Sequence, residues 1–248
     1  MPRCYGKKPP KFHPKTLLLR DYLPTALPPP ETKRAWEYSV SDRTWAASML
    51  GNDQVGDCVI AAILHYIMAA QANVGNPVTF TTQQALDLYS AITGYNPADP
   101  STDQGSSWTD ALNYWQTTGC CGHKILGWAA LDISSLDAIK QGIAIFGGVL
   151  IGTVLTQSMK DQFDKGQSWN APFTGALLGG HGIAWLGFGR HGQTCITWGS
   201  RQQMDPAALS QVDEAYVVAT QDWLDAQARS PSGLNLDALT ADLKTIVG

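Results

Sequence analysis

The stretch that most constrains this chain is residues 58–72, CVIAAILHYIMAAQA. It is apolar on almost every face and holds neither glycine nor proline, so it reads as a helix buried in the middle of a domain. Such a helix has to be wrapped by a sizeable body, and 248 residues with 44% hydrophobic content supply one. Asp57 stands where an N-cap is expected. Cys58 then lies in the first turn, among unsatisfied backbone N–H groups at the positive end of the helix dipole. That position favours a thiolate, the form that attacks carbonyls.

Periodicity assigns the remaining elements. Residues 81–92 read as a helix capped by Thr81 or Thr82, and residues 107–118 as one ended by Gly119. Strands then take over at 125–131 and 149–155, with a helix over 134–145 between them. Strands over 181–188 and 194–198 flank Gly189, Arg190, His191, Gly192 and Gln193, a hairpin connection. A strand over 214–220 and helices near 221–228 and 236–246 close the chain. Helices first and strands later is an α+β order with an antiparallel sheet.

Residues 1–45 differ in kind. They hold more than half of the 14 prolines, and between Met1 and Lys15 they carry Arg3, Lys7, Lys8, Lys11 and Lys15 with no acid. That composition buries too little apolar surface to fold alone, so it reads as a solvated arm beside one compact domain at residues 46–248. Five basic residues are few for a nucleic-acid arm, and a net charge of -4 drawn from only 15% charged residues gives no footprint for a nucleic acid or a membrane. No run approaches the ~18 apolar residues of a membrane span and no signal-peptide core opens the sequence, so the expected compartment is the cytoplasm. Five cysteines, an odd and sparse set, point to reduced thiols.

A base for Cys58 is available. His181 follows Gly179-Gly180 at the mouth of a strand, and Thr197, sixteen residues on and just before Trp198, comes near it across the hairpin. Nucleophile, base and orienting group are the parts such a site requires. Gly56 would let a backbone approach the thiol, and Asn52 and Gln54 put amide donors on the preceding loop, where an oxyanion is held. Each residue also has a plain structural reading, a buried cysteine and a satisfied core histidine. His65 reads as a core histidine and His191 as a solvated hairpin tip. Cys120-Cys121-Gly122-His123 is half a metal site with no second pair, and no phosphate loop or dinucleotide fingerprint occurs, so neither metal nor cofactor is expected.

Six segments, in order, resemble the papain-like cysteine peptidase superfamily: GNDQVGDCVIAA, FTTQQALDLYS, DQGSSWTDALNYWQTTG, DQFDKGQSW, GGHGIAWLGFG and ITWGS. The resemblance runs from Asn52 to Thr220. The resemblance implies a helical half, with the nucleophile helix buried, packed on a C-terminal antiparallel sheet or barrel half. It implies Cys58 as nucleophile and His181 as general base. The family's oxyanion glutamine falls at Asn52, six residues before the cysteine; Gln54 is the right residue type at another spacing, and both stay candidates. The same pattern is similar to the peptidase domains of bacteriocin-exporting transporters, whose orienting Asp falls at Thr197. Counting back from Trp-Gly, as in papain, gives Ile196 instead. Gly105 and Ser106 match the family's backbone-binding glycine pair in the first member only, and Gly56, Gly180 and Trp198 complete the implied substrate-binding set.

The activity so implied is hydrolysis of peptide or amide bonds by a Cys–His dyad with an uncharged third member, acting on a peptide or protein substrate. Two alternatives share the scaffold: a catalytically weak papain-like binding protein, and a transglutaminase-like acyl transferase. Asp57 beside the thiol should raise its pKa unless the carboxylate is spent on capping. The basic arm offers one further expectation, a segment that covers the groove as an inhibitory propeptide does.

Overall fold

The computed structural model describes residues 3–11, 18–19, 36–39, 48–189 and 192–224. The expected helix over 236–246, the end of that near 221–228, His191 and most of residues 1–45 lie outside them. Helix α1, Cys58–Asn73, is buried from Cys58 through Ala70, as its all-round apolar face demands. Helix α2, Thr82–Thr93, opens on a reciprocal capping box between Thr81 and Gln84 and ends at Gly94 in the left-handed conformation. Helix α3, Trp108–Thr117, is capped by Ser107 and buries Trp108, Leu112 and Trp115.

Among the described residues, the second half is a seven-stranded antiparallel sheet. Its strands are β1 (Trp36–Glu37), β2 (Ile125–Ala130), β3 (Val149–Thr156), β4 (Leu177–Gly189), β5 (Gly192–Thr197), β6 (Ser200–Met204) and β7 (Val212–Thr220). They run in the order β2-β7-β3-β4-β5-β6, with β1 paired to the far end of β4. Helix α4, Leu136–Phe146, packs on the sheet, and α5, Gln157–Asp164, follows β3. The architecture is α+β, a helical half with α1 at its centre laid on the sheet. Among the described residues, no helix is long and apolar enough to cross a membrane.

Where α1 meets β4, the contact is as close as two backbones allow. A Cβ on Gly182 would stand 3.0 Å from Val59 Cα and 3.1 Å from Val59 N. Glycine at 182 therefore brings the start of α1 onto the strand that carries His181. Three elements differ from the sequence reading. Strand β4 begins at Leu177, because Gly179 and Gly180 stay in the ladder opposite Leu155 and Val154. Helix α5 buries only Met159 fully, so it has almost no apolar stripe to read. Strand β6, SRQQM, has no β-branched residue and owes its extension to pairing with β5.

Candidate active site

Cys58 is the first residue of α1 and is 1% exposed. The Gly182 amide donates to its sulfur at 3.3 Å. Burial is the largest influence on the thiol and pushes it up to about 11, against the amides of Gly182 and Gly6, which favour the thiolate. Asp57 corrects an expectation. It occupies the N-cap position, but its side chain caps nothing. Burial, outweighing the Asn52 amide beside it, holds the carboxyl well above the usual carboxylate range. The push of Asp57 on the thiol ranks below burial and below the amides of Gly182 and Gly6.

His181 lies on β4 and is 1% exposed. Its Nε2 is 2.6 Å from Thr197 Oγ1. The register Ala184↔Ile196 accounts for this contact: it carries Thr197, the last residue of β5, to the same face as His181 and two residues along. Thr197, and not Ile196, is the residue against the imidazole. Nδ1 is buried and has no hydrogen-bond partner among the described residues. With the Thr197 hydroxyl accepting from Nε2–H, Nδ1 keeps the lone pair that a proton acceptor needs. Trp198, at φ 47°, stacks its ring on the imidazole with centroids 4.6 Å apart and 27° between planes. Burial first, and then the charge of Arg3, lowers the His181 pKa to about 3.

Across these groups runs the chain's own front end. Cys4 N–H donates to the Asn52 carbonyl at 3.0 Å, and Asn52 Nδ2 donates to the Cys4 carbonyl at 3.3 Å. Ser106 N–H donates to Gly6 O at 2.7 Å, Lys8 N–H to Ser106 O at 2.8 Å, and Lys7 N–H to Gly180 O at 3.2 Å. Glycines make the path. A Cβ on Gly105, at φ 70°, would stand 1.8 Å from Gly6 O, and one on Gly180 would stand 2.4 Å from Lys7 O. Gly56 lies against Gly6, its own Cβ position 3.0 Å from Gly6 Cα. The reading of this stretch as a solvated arm fails at Lys7, whose side chain is 1% exposed and ion-paired to Asp213 and Glu214.

Of the two oxyanion candidates, Asn52 is buried with its amide on the segment in the cleft, whereas Gln54 is exposed in a turn and its N–H meets Gly51 O. Three contributions were not read from sequence. Asp103 accepts the Gly56 N–H and the Tyr89 hydroxyl, and that hydroxyl accepts the Gly105 N–H, which ties the two glycine walls together. Arg3 is ion-paired to Asp164 and lies 4.3 Å over the Phe163 ring and 4.9 Å over Trp198. Tyr5 stands edge-on to both His181 and Trp198. Aromatic and basic residues in a proline-rich stretch give no signal of such partners.

A scan against protein-family models finds no match, and a search of curated proteins finds none either. Solved structures do match. Xylellain, a cysteine protease from Xylella fastidiosa, superposes with a TM-score of 0.64 at 14% identity, over 88% of this chain and 96% of that one. A procathepsin B from Trypanosoma congolense gives 0.55 at 12% identity, over 88% and 87%. The fold is that of the papain-like cysteine proteases. Within this papain-like frame the dyad candidates sit at the junction of the two halves, Cys58 on the helical side and His181 on the sheet. His65, also on α1, is a core histidine whose Nε2 meets the Ser48 carbonyl at 3.1 Å, as its apolar surroundings suggest. Cys120 is buried, and His123 Nδ1 is 2.6 Å from Asp222 Oδ1.

Proposed function

We propose that the chain is a cysteine hydrolase of peptide bonds that works through Cys58 and His181 with Thr197 as an uncharged third member, and that residues 3–8 keep it latent. One observation carries this reading. An extended peptide, the chain's own residues 4–8, lies main chain to main chain along Asn52, Ser106 and Gly180, with its Gly6 amide at the Cys58 sulfur. A cleft that pairs with peptide backbone beside a thiol is what amide hydrolysis by cysteine needs.

In the reaction, sulfur bonds to the carbonyl carbon as its proton passes to His181 Nδ1. The carbonyl oxygen takes the charge and is met by the Asn52 amide and the Cys58 N–H. His181 then returns the proton to the amine as the C–N bond breaks; water gives a proton to the same nitrogen and bonds to the thioester carbon, and the C–S bond breaks to release the acid as that proton returns to sulfur. Residues 3–8 present an N–H to the sulfur rather than a carbonyl carbon, and the buried thiol and imidazole are both held neutral, so the segment is a cover and not a substrate. Five free cysteines fit a reducing compartment such as the cytoplasm.

The test is iodoacetamide on a chain carrying Gly6→Ala, with the modified residue mapped by mass spectrometry and cleavage of a peptide library followed in parallel. Cys58 should react faster than a free thiol at pH 7.5 and lose that advantage with His181→Ala. Reaction no faster than a free thiol, and indifferent to His181, removes the enzyme reading. The absence of charge on Thr197 favours a second one, a scaffold that binds peptides without cleaving them; any cleavage by the Gly6→Ala chain that Cys58→Ala abolishes decides against it. Acyl transfer uses the same groups and would show as amide product when an amine is added.

A further inference from the structure

The Lys7 ammonium lies 2.7 Å from Asp213 Oδ2 and 2.8 Å from Glu214 Oε1, with the lysine side chain 1% exposed and that of Glu214 2%. Successive residues of a strand ordinarily point to opposite faces. Here the ladder skips one: Gly152 pairs with Glu214 and Thr153 with Val212, so Asp213 is the extra residue of a bulge and both carboxylates converge on one point. Gly152 supplies the room, since a Cβ there would stand 2.6 Å from Glu214 Cγ and 2.9 Å from Lys7 Cε. Tyr216 fixes the other Glu214 oxygen by donating its hydroxyl at 2.8 Å.

Such a pocket is poorly suited to anything but a cation. Two carboxylates side by side, one of them almost fully buried, are costly without a positive partner. Burial raises the Glu214 pKa, and Lys7 is the strongest influence against it. The ion pair also lies beside the cleft residues. The Lys7 backbone N–H meets Gly180 O, next to His181, and Gly152 pairs with Gly182, whose amide touches the Cys58 sulfur.

We propose that Asp213 and Glu214 form a subsite that selects a lysine or arginine side chain of the peptide substrate, and that Lys7 fills this subsite in the covered state. The proposal rests on the peptidase reading above. In a chain carrying Gly6→Ala, peptidyl acyloxymethyl ketones bearing lysine, norleucine or glutamate, at each of the three residues before the ketone in turn, are timed by alkylation of Cys58. At one position the lysine probe should react at least tenfold faster than the norleucine probe, its uncharged analogue. Asp213→Asn with Glu214→Gln should bring that ratio to about one. Equal rates for lysine and norleucine at all three positions, with Cys58 reacting readily, overturn the subsite and leave the peptidase reading standing. If Cys58 reacts with no probe, the peptidase reading falls and the substrate subsite with it. The pocket's choice of a cation is read separately in the otherwise unchanged chain. Lys7→Met should speed hydrogen exchange across residues 3–8 at least tenfold while Lys7→Arg keeps the protection, and equal protection in the two overturns the selectivity.

Discussion

Two influences compete at Cys58. The helix terminus and the amides around the sulfur favour the thiolate, and a helix dipole contributes about 0.3–1 kcal/mol to such a charge. Burial raises the thiol from 9.0 to about 11, which corresponds to roughly 3 kcal/mol against the charge, so burial wins while residues 3–8 stay in the cleft. In the intact chain at pH 7.5, iodoacetamide should therefore modify Cys58 about 100-fold or more slowly than free cysteine. A comparable rate, read by mass spectrometry, contradicts the covered state. Thr197 sets a second expectation. Thr197→Val would leave His181 Nε2 buried without its partner, at a cost of about 1–3 kcal/mol, so dyad-dependent alkylation in a Gly6→Ala chain should fall roughly tenfold or more. Thr197→Asp should do the opposite to the base: a negative neighbour stabilises the imidazolium, so the acid limb of the pH–rate profile should move to higher pH.

At the scale of elements, the site depends on backbones that touch. Gly182 seats α1 on β4, and Gly6, Gly56 and Gly105 let residues 3–8 lie between two walls. A Cβ on Gly6 would stand 1.6 Å from the Gly56 carbonyl oxygen, a distance no side chain adopts, so Gly6→Ala should unseat the segment. Exposure of Cys58 to iodoacetamide should rise at least tenfold in that variant, and an unchanged rate would mean that the cover does not control access. Much of this region is legible in the sequence. Helix α1 announces itself by being apolar all round, α2 by its capping box, and Thr197 by its count from His181. What is not legible arises from pairing. The bulge at Asp213 is imposed by β3, the amide at the sulfur belongs to a glycine with no chemistry of its own, and Lys7 reads as solvated because its acids lie more than 200 residues away.

For the molecule as a whole, the buried titratable groups couple folding to pH in opposite directions. His65 sits in the middle of α1, and burial lowers its pKa to about 4 although the Ser48 carbonyl works against this. The unfolded chain takes up that proton near the ordinary value of 6.5, before the folded chain does. Stability from His65 is therefore complete above pH 6.5 and is lost as pH falls from 6.5 towards 4, on the order of 3 kcal/mol in all. His181 acts in the same direction. Asp57 and Glu214, whose pKa values burial raises, act the other way and gain stability on acidification. Because these contributions partly cancel, the total slope is a poor witness, and the difference between the intact chain and His65→Gln is the informative quantity. Urea unfolding at pH 7.5 and pH 4.5 should show the intact chain losing about 2 kcal/mol or more relative to the variant between those two values. Equal losses in both would mean that His65 is protonated within the fold.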